Sequence, residues 1–187
     1  MAAFASNTIR FECEDPAVFK DSFANGANRP VDNFASEIAS KGAVHIIRNA
    51  GTDGGWAEFN IASPSADSYI VRIGVVQFAN AGTFKVLVNG ETLGPVFEGY
   101  AAADTAAVFN AGTVNLKEGT NLVRIEMVGR NAAAGNNNLR LDYIEIVPAS
   151  GGNAATGDPG LIIPIALFLL CGTVAFLLLK RTGKITR

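Results

Sequence analysis

The chain is poor in the residues that catalysis usually draws on. It has one histidine, His45, one tryptophan, Trp56, and two cysteines, Cys13 and Cys171. A Ser–His–Asp arrangement or a His-based metal centre needs more than a lone imidazole in an apolar stretch, so His45 is expected to be a core or surface histidine. Two cysteines without a CxxC spacing build no zinc site. There are 20 glycines, yet no phosphate-cradling glycine loop opens a helix. Carboxylates are scattered, and no enzyme is expected. Charge is also scarce: 17% of residues carry it and the net is −2, which leaves no basic footprint for nucleic acid. No Asn-x-Ser/Thr sequon occurs among the many asparagines, which argues against a eukaryotic secretory route.

What is present begins at the end of the chain. Residues 160–179, GLIIPIALFLLCGTVAFLLL, contain no charge, and as a helix they span roughly 28 Å, close to the hydrocarbon thickness of a bilayer. A buried helix of a soluble domain would keep a polar face, and this run has none. Pro164 falls in the first turn, where its missing N–H costs least. Lys180, Arg181, Lys184 and Arg187 follow at once. Residues 160–180 therefore read as a single transmembrane helix with membrane lipid as a partner, and 181–187 as a basic tail. By the positive-inside rule the tail faces the cytoplasm or stroma, and the domain before it lies in a lumen, the periplasm or the cell exterior. Residues 1–7 are too short and too polar for an export signal, so this reading expects a removed presequence; a tail-anchored cytosolic domain is the other option. Cys13 and Cys171 then lie in different phases and should not pair. Cys171, Gly172 and Thr173 form a small-residue notch of the kind that admits a neighbouring helix.

Upstream, apolar and polar residues alternate in short runs. In 8–14, TIRFECE, Ile9, Phe11 and Cys13 face one way and Arg10, Glu12 and Glu14 the other. Strands are also expected at 42–48, 56–61, 68–78, 83–88, 92–97, 121–128 and 139–147, with one or two more in 107–116. Residues 15–40 show no period and read as a long loop. Asn89-Gly90 marks a two-residue hairpin. About ten strands at turn spacings of roughly ten residues predict an all-β, antiparallel β-sandwich over 1–147. Residues 148–159, PASGGNAATGDP, then read as a flexible linker.

Four stretches taken together resemble carbohydrate-binding modules of families six and thirty-five: FECED at 11–15, GGWAEFNI at 54–61, FKVLVNG at 84–90, and VNLKEGTNLVRIEM at 114–127 with LRLDYIEI at 139–146. The resemblance implies a jelly roll, often appended to glycoside hydrolases. It also implies one structural calcium, on positions that match Glu12, Glu14 and Asp142. Glu12 and Glu14 share a strand face, and a hard divalent cation would relieve their repulsion. Finally, it implies a sugar site in loops at one end, built from aromatic rings and an asparagine two residues before the closing aspartate. Arg140 stands at that asparagine's position, and Phe109 is the only ring where the family has a tryptophan. Tyr100, Phe109, Asn138 and Arg140 are the residues left as sugar contacts, and Trp56 is expected to pack in the scaffold.

With the ligand set altered, the first expectation is a structural or interaction module, an accessory subunit whose helix docks in a larger photosynthetic or respiratory membrane complex. The alternative is a membrane-anchored, lectin-like module that binds a glycan.

Overall fold

A computed structural model describes residues 7–24, 32–48 and 54–149. The expected membrane helix 160–180, the tail 181–187 and all but the first two residues of the linker 148–159 lie outside them. Among the described residues no helix is long and apolar enough to cross a membrane.

The described residues form eleven strands: β1 (Ile9–Glu12), β2 (Phe19–Phe23), β3 (Asp32–Ala35), β4 (Ala43–Ile47), β5 (Trp56–Ser63), β6 (Asp67–Gln77), β7 (Gly82–Val88), β8 (Glu91–Glu98), β9 (Thr105–Leu116), β10 (Gly119–Arg130) and β11 (Leu139–Pro148). They make two antiparallel sheets. One has six strands in the order β3-β4-β11-β6-β9, with β1 also paired to β11, and the other has five in the order β2-β5-β10-β7-β8. The strand β11 is shared along its length: β4 takes Leu139–Leu141, and β1 takes Tyr143–Ile146. The expected β-sandwich is therefore present.

Strict alternation explains why these strands stack. In β5 the inward residues Ala57, Phe59 and Ile61 are fully buried, and in β10 so are Val123 and Ile125. They meet Ile73, Leu141, Ile144 and Ile146 of the facing sheet in one core. Apolar side chains on one face of each sheet leave water only if a second sheet covers them, which is what drives the two layers together. His45 joins this core at 3% exposure. Its ring lies 4.9 Å from that of Phe19 and 5.4 Å, edge-on, from that of Phe59.

Two departures from the sequence expectation have local causes. The stretch read as a loop, 15–40, contains β2 and β3, both at sheet edges. Of β2 only its first residue, Phe19, packs against the core, beside Val18 just before the strand, and a strand with one wet face and one wet edge carries no periodic apolar signal. The stretch 107–116 is one long strand with a bulge. Val71 pairs Gly112 and Arg72 pairs Asn110, so Ala111 is an extra residue on β9. Gly112 there has φ 134°, which a side chain would resist.

Candidate functional site

Three connections converge at one end of the sandwich: 78–81, 99–104 and 131–138. They are knitted by backbone bonds. Phe78 N–H donates to Gly99 O at 3.3 Å and Ala101 N–H to Phe78 O at 3.3 Å. Asn138 N–H donates to Asn80 O at 3.0 Å, and Gly82 N–H to Asn138 O at 2.9 Å. Side chains complete the frame. Gln77 Nε2 donates to Glu98 O at 2.9 Å, and Glu98 accepts from Tyr100 N–H at 2.8 Å and from Asn131 Nδ2 at 3.1 Å. Two loops and the strand β11 thus reach one cluster without a disulfide or a helix.

On this frame stands Arg140. It projects from the start of β11, and its guanidinium carbon lies 3.9 Å from the centroid of the Phe78 ring. Its Nη1 donates to Asp104 Oδ2 at 2.5 Å. The Arg140 side chain is 14% exposed and that of Asp104 55%. The pair therefore joins the strand to the 99–104 loop, with the carboxylate the wetter partner. The stacking is a cation–π contact with its charge balanced from the solvent side.

Of the four expected sugar contacts, Tyr100, Asn138 and Arg140 are at this end. Tyr100 is half-buried and bridges Phe78, and Asn138 contributes both of its backbone groups to the frame. Phe109 is elsewhere. It pairs Ile73 midway along β9, the edge strand of the six-stranded sheet, and its ring packs 5.6 Å from that of Phe84 and 5.3 Å from that of Phe97. It is a packing residue, because its inward register on β9 takes it away from the loops. Phe78 and Asp104 were missed by the sequence reading. Both are far from Arg140 in the chain, and only the pairing of β6 with β11 and the turn of 99–104 bring them to it.

Trp56 packs on the outer side of the scaffold. It alternates out of phase with the buried Ala57 and Phe59, so its ring lies on the outer face of the five-stranded sheet. There the Arg124 guanidinium carbon stands 4.1 Å from its centroid, and Arg124 Nη1 donates to Glu58 at 3.2 Å. Phe23, half exposed, is its cross-strand neighbour.

The acidic residues form a separate group. Asp142 is 4% exposed, and Ser40 N–H donates to both of its oxygens, at 3.0 and 3.1 Å. The Ser40 hydroxyl reaches Asp142 Oδ1 and Glu12 Oε2, each at 2.8 Å. Cys13 N–H donates to the Asp142 carbonyl at 2.9 Å, which brings the end of β1 alongside β11. Burial pushes the Glu14 carboxyl above its usual range, and the charges of Glu12, Asp142 and Asp15 push it the same way. Sequence and structure thus bring Glu12 and Asp142 onto one serine with Glu14 within their field. Among the described residues no group of three His, Cys, Asp or Glu side chains is close enough to hold a metal ion.

No family profile and no characterised protein matches the sequence. Solved structures match the fold. A family 35 carbohydrate-binding module from an environmental isolate aligns at 19% identity and a TM-score of 0.53, over 74% of this chain and 91% of that one. A family 35 module from Clostridium thermocellum aligns at 18% identity and a TM-score of 0.50, over 75% of this chain and 98% of that one. A Paenibacillus xanthan lyase aligns at 19% identity and a TM-score of 0.65, over 74% of this chain; the chain spans only 13% of the lyase's length. The shared feature is the jelly-roll sandwich.

Proposed function

We propose that this sandwich is a non-catalytic carbohydrate-binding module, held at an extracytoplasmic membrane surface by the apolar segment 160–180. The observation that supports it most is the correspondence of fold with two stand-alone carbohydrate-binding modules along nearly their whole length. The loop end adds chemistry suited to a polyol. It gathers Phe78, Tyr100 and Asn-rich backbone turns with the N–H donors of Arg140 and the carboxylate of Asp104. Sugars are bound by this combination of ring faces and fixed donors and acceptors. The accessory-subunit expectation takes second place. It rests on the altered asparagine position and on the small residues of the apolar segment, and neither concerns the fold shared with these modules.

The full-length chain, solubilised in a detergent without a sugar headgroup, is expected to bind at least one oligosaccharide on a glycan array with micromolar-to-millimolar affinity by calorimetry. Arg140→Ala or Tyr100→Ala should weaken that binding about tenfold or more, the loss of a charged hydrogen bond or a stacking face. An array with no binding in calcium-containing buffer would sink the reading.

The same reading extends to one structural calcium on Glu12, Glu14 and Asp142, which would have to draw closer together to hold it than they stand here. Glu12 and Asp142 already converge on Ser40, and hard carboxylate oxygens suit calcium. When bound, the ion would neutralise the mutual repulsion of the group and tie β1 to β11. Calcium at a few times its Kd should raise stability by about 1 kcal/mol, read as a rise in Tm that Asp142→Asn removes. The calcium-free pH profile gives a second check. A carboxyl whose value is raised by folding binds its proton more readily folded than unfolded. The ionised Glu14 therefore costs stability near neutrality, and that cost fades as the pH falls toward the ordinary 4.5. In EDTA, Glu14→Gln is expected to melt above the parent at pH 7 and level with it near pH 4. Equal melts at both values would show that Glu14 is not strained.

A further inference from the structure

We propose that the Arg140–Asp104 pair makes the loop end a site for neutral rather than acidic sugars, with Asp104 as the residue that decides; this rests on the carbohydrate reading above. An arginine at a sugar site would by itself suggest recognition of a uronate carboxylate, since a guanidinium matches a carboxylate in shape and charge. The geometry points the other way.

Arg140 is fixed. Its backbone belongs to β11, paired with β4 at Arg140 itself and with β6 from Leu141 onward, and its guanidinium is stacked 3.9 Å over the Phe78 ring. Its Nη1 is engaged by Asp104, and Asp104 is the solvent-facing partner at 55% exposure. A uronate would need the contact that Asp104 already makes. Asp104 is part of the same chain, so it competes at a high effective concentration and is never diluted away. It also adds a negative charge at the rim, and Glu98, the last residue of β8 just before that loop, supplies a second, held by Tyr100 N–H and Asn131. An incoming anion meets like charge before it meets the guanidinium.

A neutral sugar faces no such contest. Its hydroxyls both donate and accept, so they can use the Asp104 carboxylate and the N–H groups of the loop end without breaking the ion pair. The pair thus holds Arg140 over the ring and cancels its attraction for acids.

The test compares the full-length chain with Asp104→Asn, an exposed and nearly isosteric change. The probes are neutral manno-, xylo- and galacto-oligosaccharides on one side and oligogalacturonides and oligoglucuronides on the other. The parent is expected to bind a neutral probe and to bind the oligouronides at least tenfold more weakly. In Asp104→Asn the oligouronide affinity should rise about tenfold, as a charge-assisted hydrogen bond becomes available, while that of the neutral probe, which can use the carboxylate, should hold or fall and not rise with it. The new oligouronide binding should fall as salt is raised, whereas the neutral binding should not. A parent that prefers oligouronides, or an Asp104→Asn chain with unchanged charge preference, would overturn this inference and leave the carbohydrate reading standing. A parent and variant that both bind no probe would overturn the carbohydrate reading and this inference with it.

Discussion

Gly82→Ala is expected to lower stability by about 3 kcal/mol, which for a sandwich of this size is a fall in Tm of about 10 °C. The reason is contact rather than backbone freedom. Gly82 is absent from the residues with positive φ, so alanine could adopt its conformation. A Cβ placed there would meet the Asn137 Oδ1 atom at 1.7 Å and the Gly129 carbonyl oxygen at 2.5 Å. Asn137 is 1% exposed and has little room to withdraw, and the second contact is backbone. Gly82 is also the residue through which the loop end is tied. Its N–H goes to Asn138 O, and its carbonyl accepts from Gly99 N–H at 3.0 Å. Moving it displaces 99–104 and 131–138 together, so glycan binding should fall along with stability. Gly119→Ala is the comparison that separates the two kinds of glycine. Gly119 has φ 82° and nothing within 4 Å of an added Cβ. Only the left-handed conformation is at stake, at about 1 kcal/mol. Thermal melts of both variants decide the matter, and a Gly82→Ala chain that melts within a degree or two of the parent would refute the steric account.

The second large effect is expected at the opposite end of the sandwich. Asn121 is 1% exposed and its amide is fully used. Its oxygen accepts from Lys117 N–H at 3.1 Å and from Asn89 Nδ2 at 3.0 Å, and its nitrogen donates to Lys117 O at 2.8 Å and Gly119 O at 3.1 Å. One side chain therefore ties the 117–120 turn to the 89–90 hairpin. That hairpin needs the support. Asn89 sits at φ 51° and Gly90 at φ 90°, and Asn89 Oδ1 accepts from Leu122 N–H at 3.0 Å. Asn121→Ala strands four polar groups, some within reach of water, and is expected to cost about 2–3 kcal/mol. Asn121→Asp keeps the acceptor, loses both donated bonds and buries a charge, so it should cost at least as much. Denaturant unfolding measures both. Glycan affinity should be unchanged below the melting range, because the loop end shares no contact with this turn. A cost under about 0.5 kcal/mol would mean that water replaces the amide at no loss.

Much of the sandwich is legible in the sequence because its strands are half-buried. Through most of β5, β7 and β10 every second residue is buried, and apart from Ser63 and Asn121 these carry no polar side chain; a period of two is what such a strand imposes. The Asn89-Gly90 turn is legible because few other dipeptides accept two successive positive φ values. The edge strands β2 and β3 were not legible, since FKDSF and DNFA carry too few apolar residues to mark a face. From sequence Trp56 is expected to pack in the scaffold; it lies on the polar phase of β5, and only the neighbouring strand β10 supplies the Arg124 guanidinium that stacks on it.

For the candidate site the division is sharper. The family resemblance named Arg140, Tyr100 and Asn138, while alternation in 8–14 put Glu12 and Glu14 on one strand face, a reading the structure corrects: β1 ends at Glu12, and Glu14 lies in the turn that follows. Neither could exclude Phe109, whose inward direction depends on the bulge at Ala111. Nor could they supply Phe78 beneath the guanidinium, Asp104 across from it, or Ser40 between Glu12 and Asp142. What the sequence determined by itself was the alternation, the turns and the apolar final segment, all set by neighbours a few residues apart. The tertiary structure alone decided which distant side chains meet, because sheet order and register are settled by how all the strands bury their faces at once. The charge of the loop end belongs to that second class. Arg140 by itself reads as a handle for acids, and only the fold reveals that Asp104 already holds it.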